Sequence, residues 1–179
     1  MEELEKRMYF LVPYNISPIQ QAIQAGHAAL EYAHKFGDDP EYVDFIENWK
    51  TWIILNGGTT NNVKDDHSGE PLGTMNQAHF KILKFNKENP DDQIKFSMFK
   101  EPDLNNALTA ICIVVDERVF NREDYPSFEQ WLGVRAVYIS QGYNTYLVDE
   151  DKYREEYKNF IGGEKILFLK ELFGNKKLA

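Results

Sequence analysis

Two apolar segments of strand length constrain the fold of this chain more than any other feature of its sequence. TWIILN (51–56) and LTAICIVVD (108–116) show almost no alternation of polar and apolar residues. A strand of this kind is buried on both faces, as in a sheet that carries helices on each side. Two further strands are predicted at MYFLVPY (8–14) and at QIKFSMFK (93–100), which alternates imperfectly.

The first helix of the chain has a clear start. Ser17 is a good N-cap, Pro18 suits the first helical position, and Gln20 completes an S-x-x-Q capping box. Gly37 is typical of a helix end. The apolar stripe of this helix predicts its buried face, which comprises Ile19, Ala22, Ile23, Gly26, Ala29, Leu30 and Ala33.

The order of strands and helices predicts the fold class and the domain organisation. Further helices are predicted across 41–49 and 75–86, and 59–73 has the composition of a long mobile loop. The chain is therefore expected to be α/β, as a three-layer α/β/α domain with a mixed, mostly parallel sheet of four strands. This domain is expected to span residues 1–120. Residues 121–179 are expected to form a helical or irregular C-terminal extension packed on the same domain.

Composition limits the class of protein and its partners. The single cysteine, Cys112, has no partner for an internal disulfide, and neither a secretory signal nor a run of membrane-spanning length is present, so a cytoplasmic protein with no membrane partner is expected. The net charge of −9 opposes a general affinity for nucleic acid. A nucleic-acid partner would need a local basic patch, although scattered lysines are more often a solvated surface. The candidate lysines are Lys81, Lys84, Lys87, Lys95 and Lys100, and Lys165, Lys170, Lys176 and Lys177.

The first helix carries one group of candidate functional residues. Gln20, Gln24 and His27, followed by Glu31 and His34, advance by four and three residues and so share one stripe of the helix. The stripe begins at the helix N-terminus, where exposed N–H groups favour an anion. The alternative is structural, because Gln20 is explained by the capping box and a histidine on a helix is more often a packed residue.

A second group lies just before the last predicted strand. In EPDLNNALTA, Glu101, Asp103, Asn105 and Asn106 precede the strand, and Thr109 lies within it. The alternative is again structural, because Pro, Asp and Asn are favoured in tight turns for local reasons. The four histidines and one cysteine have no zinc-ligand spacing, and the chain has no phosphate-binding loop signature, so neither a metal nor a cofactor is expected.

These two groups together resemble a known family. A strand of the type MYFLVPY followed by a helix with Q-x-x-H-A-A, here Gln24, His27, Ala28 and Ala29, is similar to the opening of the type 2 peptidyl-tRNA hydrolases of archaea and eukaryotes. The combination of GHAALEY, LNGG and EPDLNNALTAI looks closer still to small phage-encoded proteins of this fold, which would act in the host cytoplasm. The resemblance covers about residues 8–118 and implies a four-stranded mixed sheet whose last strand is antiparallel.

The resemblance implies an activity and a set of site residues. Members of the family hydrolyse the ester that joins a peptide to its tRNA, and the family's glutamine, threonine and acidic residue correspond to Gln24, Thr109 and, more loosely, Asp103. The family's helix lysine corresponds to Gln20, a departure, because a neutral amide cannot stabilise a developing oxyanion as an ammonium does. Lys64 or Lys100 would have to supply the missing charge.

Two functions follow from these observations. In the first, a peptidyl-tRNA hydrolase, Asp103 or His27 orients a water, Gln24 and Thr109 hold the ester or terminal ribose, and backbone N–H groups at 18–21 meet a phosphate or oxyanion. In the second, a non-catalytic protein binds a small anionic or nucleotide-like ligand, or a host protein, through neutral donors. Those donors are Gln20, Gln24, Asn105 and Asn106. The aromatic residues of the C-terminal third would pack over the sheet or form a homodimer surface.

Overall fold

The computed structural model describes residues 3–140 and 150–179. The chain forms two compact units. The first comprises the residues up to Glu117 together with Lys176–Ala179, and the second comprises Arg118–Asn175.

The first unit is built on a four-stranded mixed sheet, which confirms the predicted α/β class. The strands are β1 (Lys6–Pro13), β2 (Thr51–Gly58), β3 (Phe96–Glu101) and β4 (Ala107–Asp116), in the order β2-β1-β4-β3. β1 pairs with β2 in parallel, and β4 is antiparallel to both of its neighbours. Three strands therefore run in one direction and the last strand opposes them.

Helices cover both faces of this sheet. α1 (Pro18–Phe36) packs on the face that carries the side chains of Phe10 and Cys112. α3 (Thr74–Glu88) packs on the other face, because a Cβ added at Gly57 would lie 2.1 Å from Met75 Sδ on α3 and 3.1 Å from Leu11 Cβ on β1. Burial on both sides explains why residues 8–12 of β1 and most of β4 are apolar. Cys112 is fully buried, and burial raises the pKa of its thiol.

The start of α1 is as the sequence predicts. The Ser17 hydroxyl accepts a hydrogen bond from the Gln20 N–H, and the Gln20 side chain accepts one from the Ser17 N–H at 3.0 Å, which completes the capping box. Gly37 is the residue at the C-terminal cap. The helix therefore begins and ends where its sequence signals lie.

The prediction of which face of α1 is buried was wrong for its large apolar residues, although Ala29 and Ala33 are partly buried against the core. Ile19, Ile23 and Leu30 are 74%, 51% and 71% exposed. The face against the sheet is formed instead by small, aromatic and amide side chains, namely Gln21, Gln24, Ala25, Ala28 and Tyr32. The buried amides have partners: Gln21 Nε2, for example, donates to the Pro13 carbonyl at 3.0 Å. Because these buried amides form hydrogen bonds within the protein, their burial does not carry the desolvation penalty of an unpaired polar group. A prediction from hydrophobicity alone includes that penalty.

The second predicted helix, 41–49, is two short elements. α2 (Pro40–Asp44) runs directly into a π-helical turn, Phe45–Trp49. Lys50, with φ 61°, ends the turn in the left-handed conformation and starts the chain into β2. Tyr42 and Phe45 from this segment are buried beside α1.

The outer edge of β2 is paired by the C-terminal residues of the chain. The N–H of Asn56 donates to the Lys177 carbonyl at 2.9 Å, and the N–H of Ala179 donates to the Ile54 carbonyl at 3.0 Å. This pairing occupies backbone groups that an unprotected edge would offer to another strand.

The second unit is helical. It contains α4 (Phe128–Ser140), α5 (Glu150–Ile161) and α6 (Glu164–Phe173), and α5 agrees with the acidic helix that the sequence predicts near 149–161. The aromatic and β-branched segment 136–148, for which the sequence predicts no definite element, is partly the end of α4, and its remainder lies outside the described residues. Within residues 3–140 and 150–179, no helix is both long and apolar enough to cross a membrane.

Lys170 makes the stability of the protein depend on pH. Its side chain is buried, and its ammonium donates to the Arg118 carbonyl at 3.1 Å. Burial, and after it the Arg122 cation, lowers the pKa of Lys170 to about 8. Since an unfolded lysine keeps its proton up to about pH 10.5, the unfolded chain binds the extra proton between pH 8 and 10.5, and stability rises with pH there.

We expect the melting temperature of the wild type, relative to that of Lys170→Met, to increase from pH 8 to pH 10 and to level off below pH 8. Differential scanning fluorimetry across this range measures the difference, and the variant removes the titration of every other group from the comparison. A difference that does not change with pH would contradict the low pKa of Lys170.

Candidate functional site

The candidate site lies at the end of the sheet where three strands finish. β1, β2 and β3 run in the same direction, so their carboxyl ends lie together there, beside the start of β4. α1 starts at the same end of the sheet, directly after β1. Ligands of open α/β sheets bind at the carboxyl ends of the strands, and both groups of predicted residues are in this region.

A hydrogen bond between Thr109 and Gln24 joins the two groups. Thr109 Oγ1 donates to Gln24 Oε1 at 2.6 Å, and both side chains are buried, with exposures of 1% and 7%. Strand alternation alone would direct Thr109 towards the α3 face. It reaches α1 because the β3–β4 register shifts between Phe99 and Lys100, which leaves Thr109 as the extra residue of a β-bulge.

Gln24 also forms a hydrogen bond to a carboxylate, that of Glu101. Its Nε2 donates to Glu101 Oε2 at 2.7 Å. The orientation of the amide is determined by chemistry, because a carboxylate only accepts hydrogen bonds and the amide nitrogen must therefore face it. Glu101 is half-buried, and its other oxygen, Oε1, has no hydrogen-bond partner among the described residues.

Alternation along β3 explains why Glu101 reaches α1. Ser97 Oγ donates to the Ala28 carbonyl at 2.6 Å, and the Phe99 ring stacks on His27. Ser97, Phe99 and Glu101 are spaced by two and so share the strand face that packs on α1. Glu101 was not among the predicted catalytic residues, although this spacing, with a polar residue at its end, was a usable signal.

His27 lies beside this chain of hydrogen bonds and is exposed. Its imidazole stacks on the Phe99 ring with a centroid separation of 4.4 Å and an interplanar angle of 16°. Phe99 therefore supports one face of the His27 ring, while the residue remains exposed to solvent. This position suits a contact with a flat group of a ligand.

Asp103, Asn105 and Asn106 form the turn between β3 and β4. Asp103 is in a 3-10 turn, Pro102–Leu104, and all three side chains are exposed. Asn105 and Asn106 have φ values of 54° and 55°, a left-handed conformation that asparagine tolerates better than most residues. The turn conformation by itself accounts for both asparagines, and the carboxylate bonded to Gln24 is that of Glu101 rather than Asp103.

The N-terminus of α1 offers few donors to a ligand. Pro18 has no N–H, the Gln20 N–H donates to Ser17 Oγ, and the Gln21 N–H donates to the Ser17 carbonyl. The expectation that the N–H groups at 18–21 meet an anion therefore holds for Ile19 alone. Gln20 is exposed, and its side-chain oxygen is engaged in the capping box.

Two of the lysines predicted as candidates for a basic patch, Lys100 and Lys81, lie away from Gln24. Lys100 lies towards α3, since after burial it is the second cause of the lowered pKa of His79. Lys81 lies near Lys176, because burial and then Lys81 lower the pKa of Lys176. The two predicted lysine groups thus approach each other near α3. Two other lysines of these groups have structural roles, because Lys95 pairs with Asp39 and Lys170 is buried.

Within the described part of the chain, no group of three or more His, Cys, Asp or Glu side chains is arranged to hold a metal ion. The arrangement can instead present a carboxylate oxygen as an oriented acceptor. Thr109 fixes Gln24, Gln24 fixes Glu101, and Glu101 Oε1 is left for a hydroxyl, an amine or a water.

Comparison with known proteins adds no family assignment: no protein-family model matches this chain, and no curated protein sequence matches it either.

Proposed function

We propose that this protein is an ester hydrolase of the peptidyl-tRNA type and that Glu101 is its general base. The observation that supports this most is the chain from Thr109 through Gln24 to Glu101. It combines a helix glutamine, a strand threonine and a carboxylate, the three residue types that the resemblance implies. The four-stranded sheet with its last strand reversed is also the fold that the resemblance implies.

In the proposed reaction, Glu101 Oε1 accepts a proton from a water molecule while the water oxygen attacks the ester carbonyl carbon. The tetrahedral intermediate then collapses, the bond to the ribose oxygen breaks, and protonated Glu101 returns its proton to that oxygen. The products are a peptide with a free carboxylate and a tRNA with a free terminal hydroxyl. Gln24 holds the carboxylate in place, and the exposed His27 ring stacks with the terminal base.

Few contacts to phosphate groups are expected at the site itself. Glu101 is anionic, and Gln20 is neutral where the family has a lysine. Contacts to the tRNA backbone are therefore assigned to the lysines near α3, of which Lys81 and Lys176 are close together. Such a substrate is met in the cytoplasm, or in the host cytoplasm if the chain is phage-encoded.

The direct test is hydrolysis of an N-acetyl-aminoacyl-tRNA with the protein in excess of the substrate. We expect N-acetyl-amino acid to be released faster than in buffer alone, with a rate that falls as salt is added, because lysine contacts to phosphates are screened. Unblocked aminoacyl-tRNA serves as the control for the spontaneous lability of the ester. Release at the buffer rate would contradict the hydrolase proposal.

A second function, binding without cleavage, is favoured by the capping role of Gln20. The capping box fixes the Gln20 side chain through its oxygen and uses the Gln20 N–H, so an oxyanion would find fewer donors at the start of α1 than the resemblance implies. The ligand would then be a nucleoside whose ribose hydroxyls donate to Glu101. Adenosine would raise the melting temperature at least as much as AMP, without any turnover. An unchanged melting temperature with both would leave only a host protein as partner.

A further inference from the structure

The outward face of the first unit carries a set of large exposed apolar side chains. They come from α1, α2 with its π-helical turn, and β2, and they are Ile19, Ile23, Leu30, Val43, Ile46 and Trp52, between 37% and 74% exposed. Four of them, Ile23, Leu30, Ile46 and Trp52, line a groove of about 640 Å³ together with Gly26, Ala33, Tyr42 and Phe45. A contiguous apolar surface of this kind is typical of an interaction site.

This groove adjoins the candidate site at His27, which lines it, but the rest of its lining lies away from Gln24 and Glu101. Residues of an α-helix advance by about 100°, which places Ala29 about 140° around α1 from Gln24. The groove opens on the flank of α1 towards the π-helical turn and Trp52. Gln24 lies on the flank towards β3, where it bonds Glu101. The exposed ridge of Ile23 and Leu30 runs between the two.

Gly26 has no explanation within the fold of a single chain. It lies near the middle of the 19-residue helix α1, and a Cβ added there would meet nothing within 4 Å. Glycine inside a helix costs about 0.5–1 kcal/mol relative to alanine. A close approach by the backbone of another molecule would account for this unfavourable choice.

We propose that this face is the contact between two copies of the chain, related by a twofold axis that passes near Gly26. In a twofold contact the residue on the axis faces its own copy, which requires a small residue, and Gly26 is next to the central residue of α1. Each copy carries both an exposed apolar ridge and a groove that can receive the ridge of the other copy. Its ridge of Ile23 and Leu30 can enter the groove beside Trp52 of the other copy.

The size of the surface suits a dimer. From their exposed fractions, the six apolar side chains present on the order of 600 Å² per copy, against about 800 Å² per partner in a standard interface, and bordering residues supply the difference. An alternative contact through the β2 edge of the sheet is disfavoured because Lys177 and Ala179 already pair with β2.

The charges of the groove also suit a second copy. Each chain has a net charge of −9, so an interface that brought carboxylates together would be repelled. Among the described residues, no carboxylate lines the groove, and the ionisable nitrogen groups that line it are those of His27 and Lys50. The contact therefore forms without bringing carboxylates together.

Sedimentation equilibrium of the full chain, from low to high micromolar concentration, tests this inference. We expect the wild type to reach twice the mass of the chain and Leu30→Glu to remain a monomer at all concentrations, with an unchanged circular dichroism spectrum. The matched control is Val63→Glu, an equally drastic change at a 61% exposed residue in the loop after β2, which should dimerise like the wild type. A monomeric wild type, or a Leu30→Glu variant that still dimerises, would overturn the proposal.

Gly26→Ala supplies a second, gentler test. In a single chain the substitution can only favour the helix, because its Cβ meets open space. In the proposed dimer the two added methyl groups meet at the axis, and we expect the dissociation constant to rise by at least about tenfold. A dissociation constant that is unchanged or lower would show that Gly26 is not at the contact.

Discussion

Glu101→Gln is expected to lower the rate of N-acetyl-aminoacyl-tRNA hydrolysis by about 10²–10⁴-fold, the range that a general base contributes. Glutamine has nearly the same shape as glutamate, and its oxygen still accepts the 2.7 Å hydrogen bond from Gln24 Nε2. An amide cannot take a proton from water at neutral pH. The fold and the position of the side chain should therefore be preserved while the reaction is lost, which single-turnover rates and melting temperatures measure together.

Asp103→Asn is the matched control, because it makes the same change at the neighbouring acidic residue. Asp103 is exposed in the turn, and we expect its variant to keep a rate within about threefold of the wild type, or about 0.7 kcal/mol. An active Glu101→Gln variant beside an inactive Asp103→Asn variant would transfer the role to Asp103 and contradict the assignment made from the hydrogen bonds.

Gly58→Ala is expected to have the largest effect on stability, about 3 kcal/mol, which corresponds to a fall of roughly 10 °C in melting temperature. Gly58 has a φ of 88°, and an added Cβ would lie 2.0 Å from Thr74 Oγ1. That hydroxyl donates to the Gly57 carbonyl and accepts from the Thr59 N–H, both at 2.8 Å. The substitution thus strains the backbone and displaces the side chain that ties the end of β2 to the start of α3.

Gly69→Ala separates these two causes. Gly69 also has a positive φ, 68°, but a Cβ added there would meet nothing within 4 Å. We expect a loss of only about 1 kcal/mol, from backbone strain alone. Equal losses at the two positions would mean that the contact with Thr74 contributes nothing.

Local signals in the sequence were sufficient for the elements and the fold class. The unbroken apolar run at 108–116 predicts the covered strand β4, and Ser17 with Gln20 predicts where α1 begins. These features depend on neighbouring residues only, so a pattern along the chain contains the information. The run at 51–56 predicts the strand β2, but the expectation that it is buried on both faces was wrong, because β2 is an edge strand in which Trp52 is 45% exposed.

The orientation of α1 could not be obtained from the same kind of pattern. The apolar stripe with Ile23 and Leu30 is the more hydrophobic face of α1, so hydrophobicity alone predicts that this stripe packs on the sheet. Gln24 and Gln21 occupy the sheet side because Thr109 and the Pro13 carbonyl satisfy them, and those contacts join residues far apart in sequence. A pairing of this kind is visible only in three dimensions.

The identity of the site's carboxylate was missed for a related reason. Glu101 and Asp103 lie two residues apart in the same short polar segment, so alternation along an extended strand would place both on the α1 face. The choice depends on where β3 ends. Glu101 is the last residue of the strand, whereas Asp103 is exposed in the 3-10 turn that follows, and the sequence alone does not place that boundary.

The central claim is that Glu101 Oε1, held in place through Gln24 and Thr109, is the atom that faces a bound ribose. A crystal structure of the protein with adenosine, the nucleoside at the end of tRNA, tests this most directly. The account predicts a ribose hydroxyl about 2.7 Å from Glu101 Oε1. Adenosine bound away from Glu101, or a site that stays empty at saturating adenosine, would contradict it.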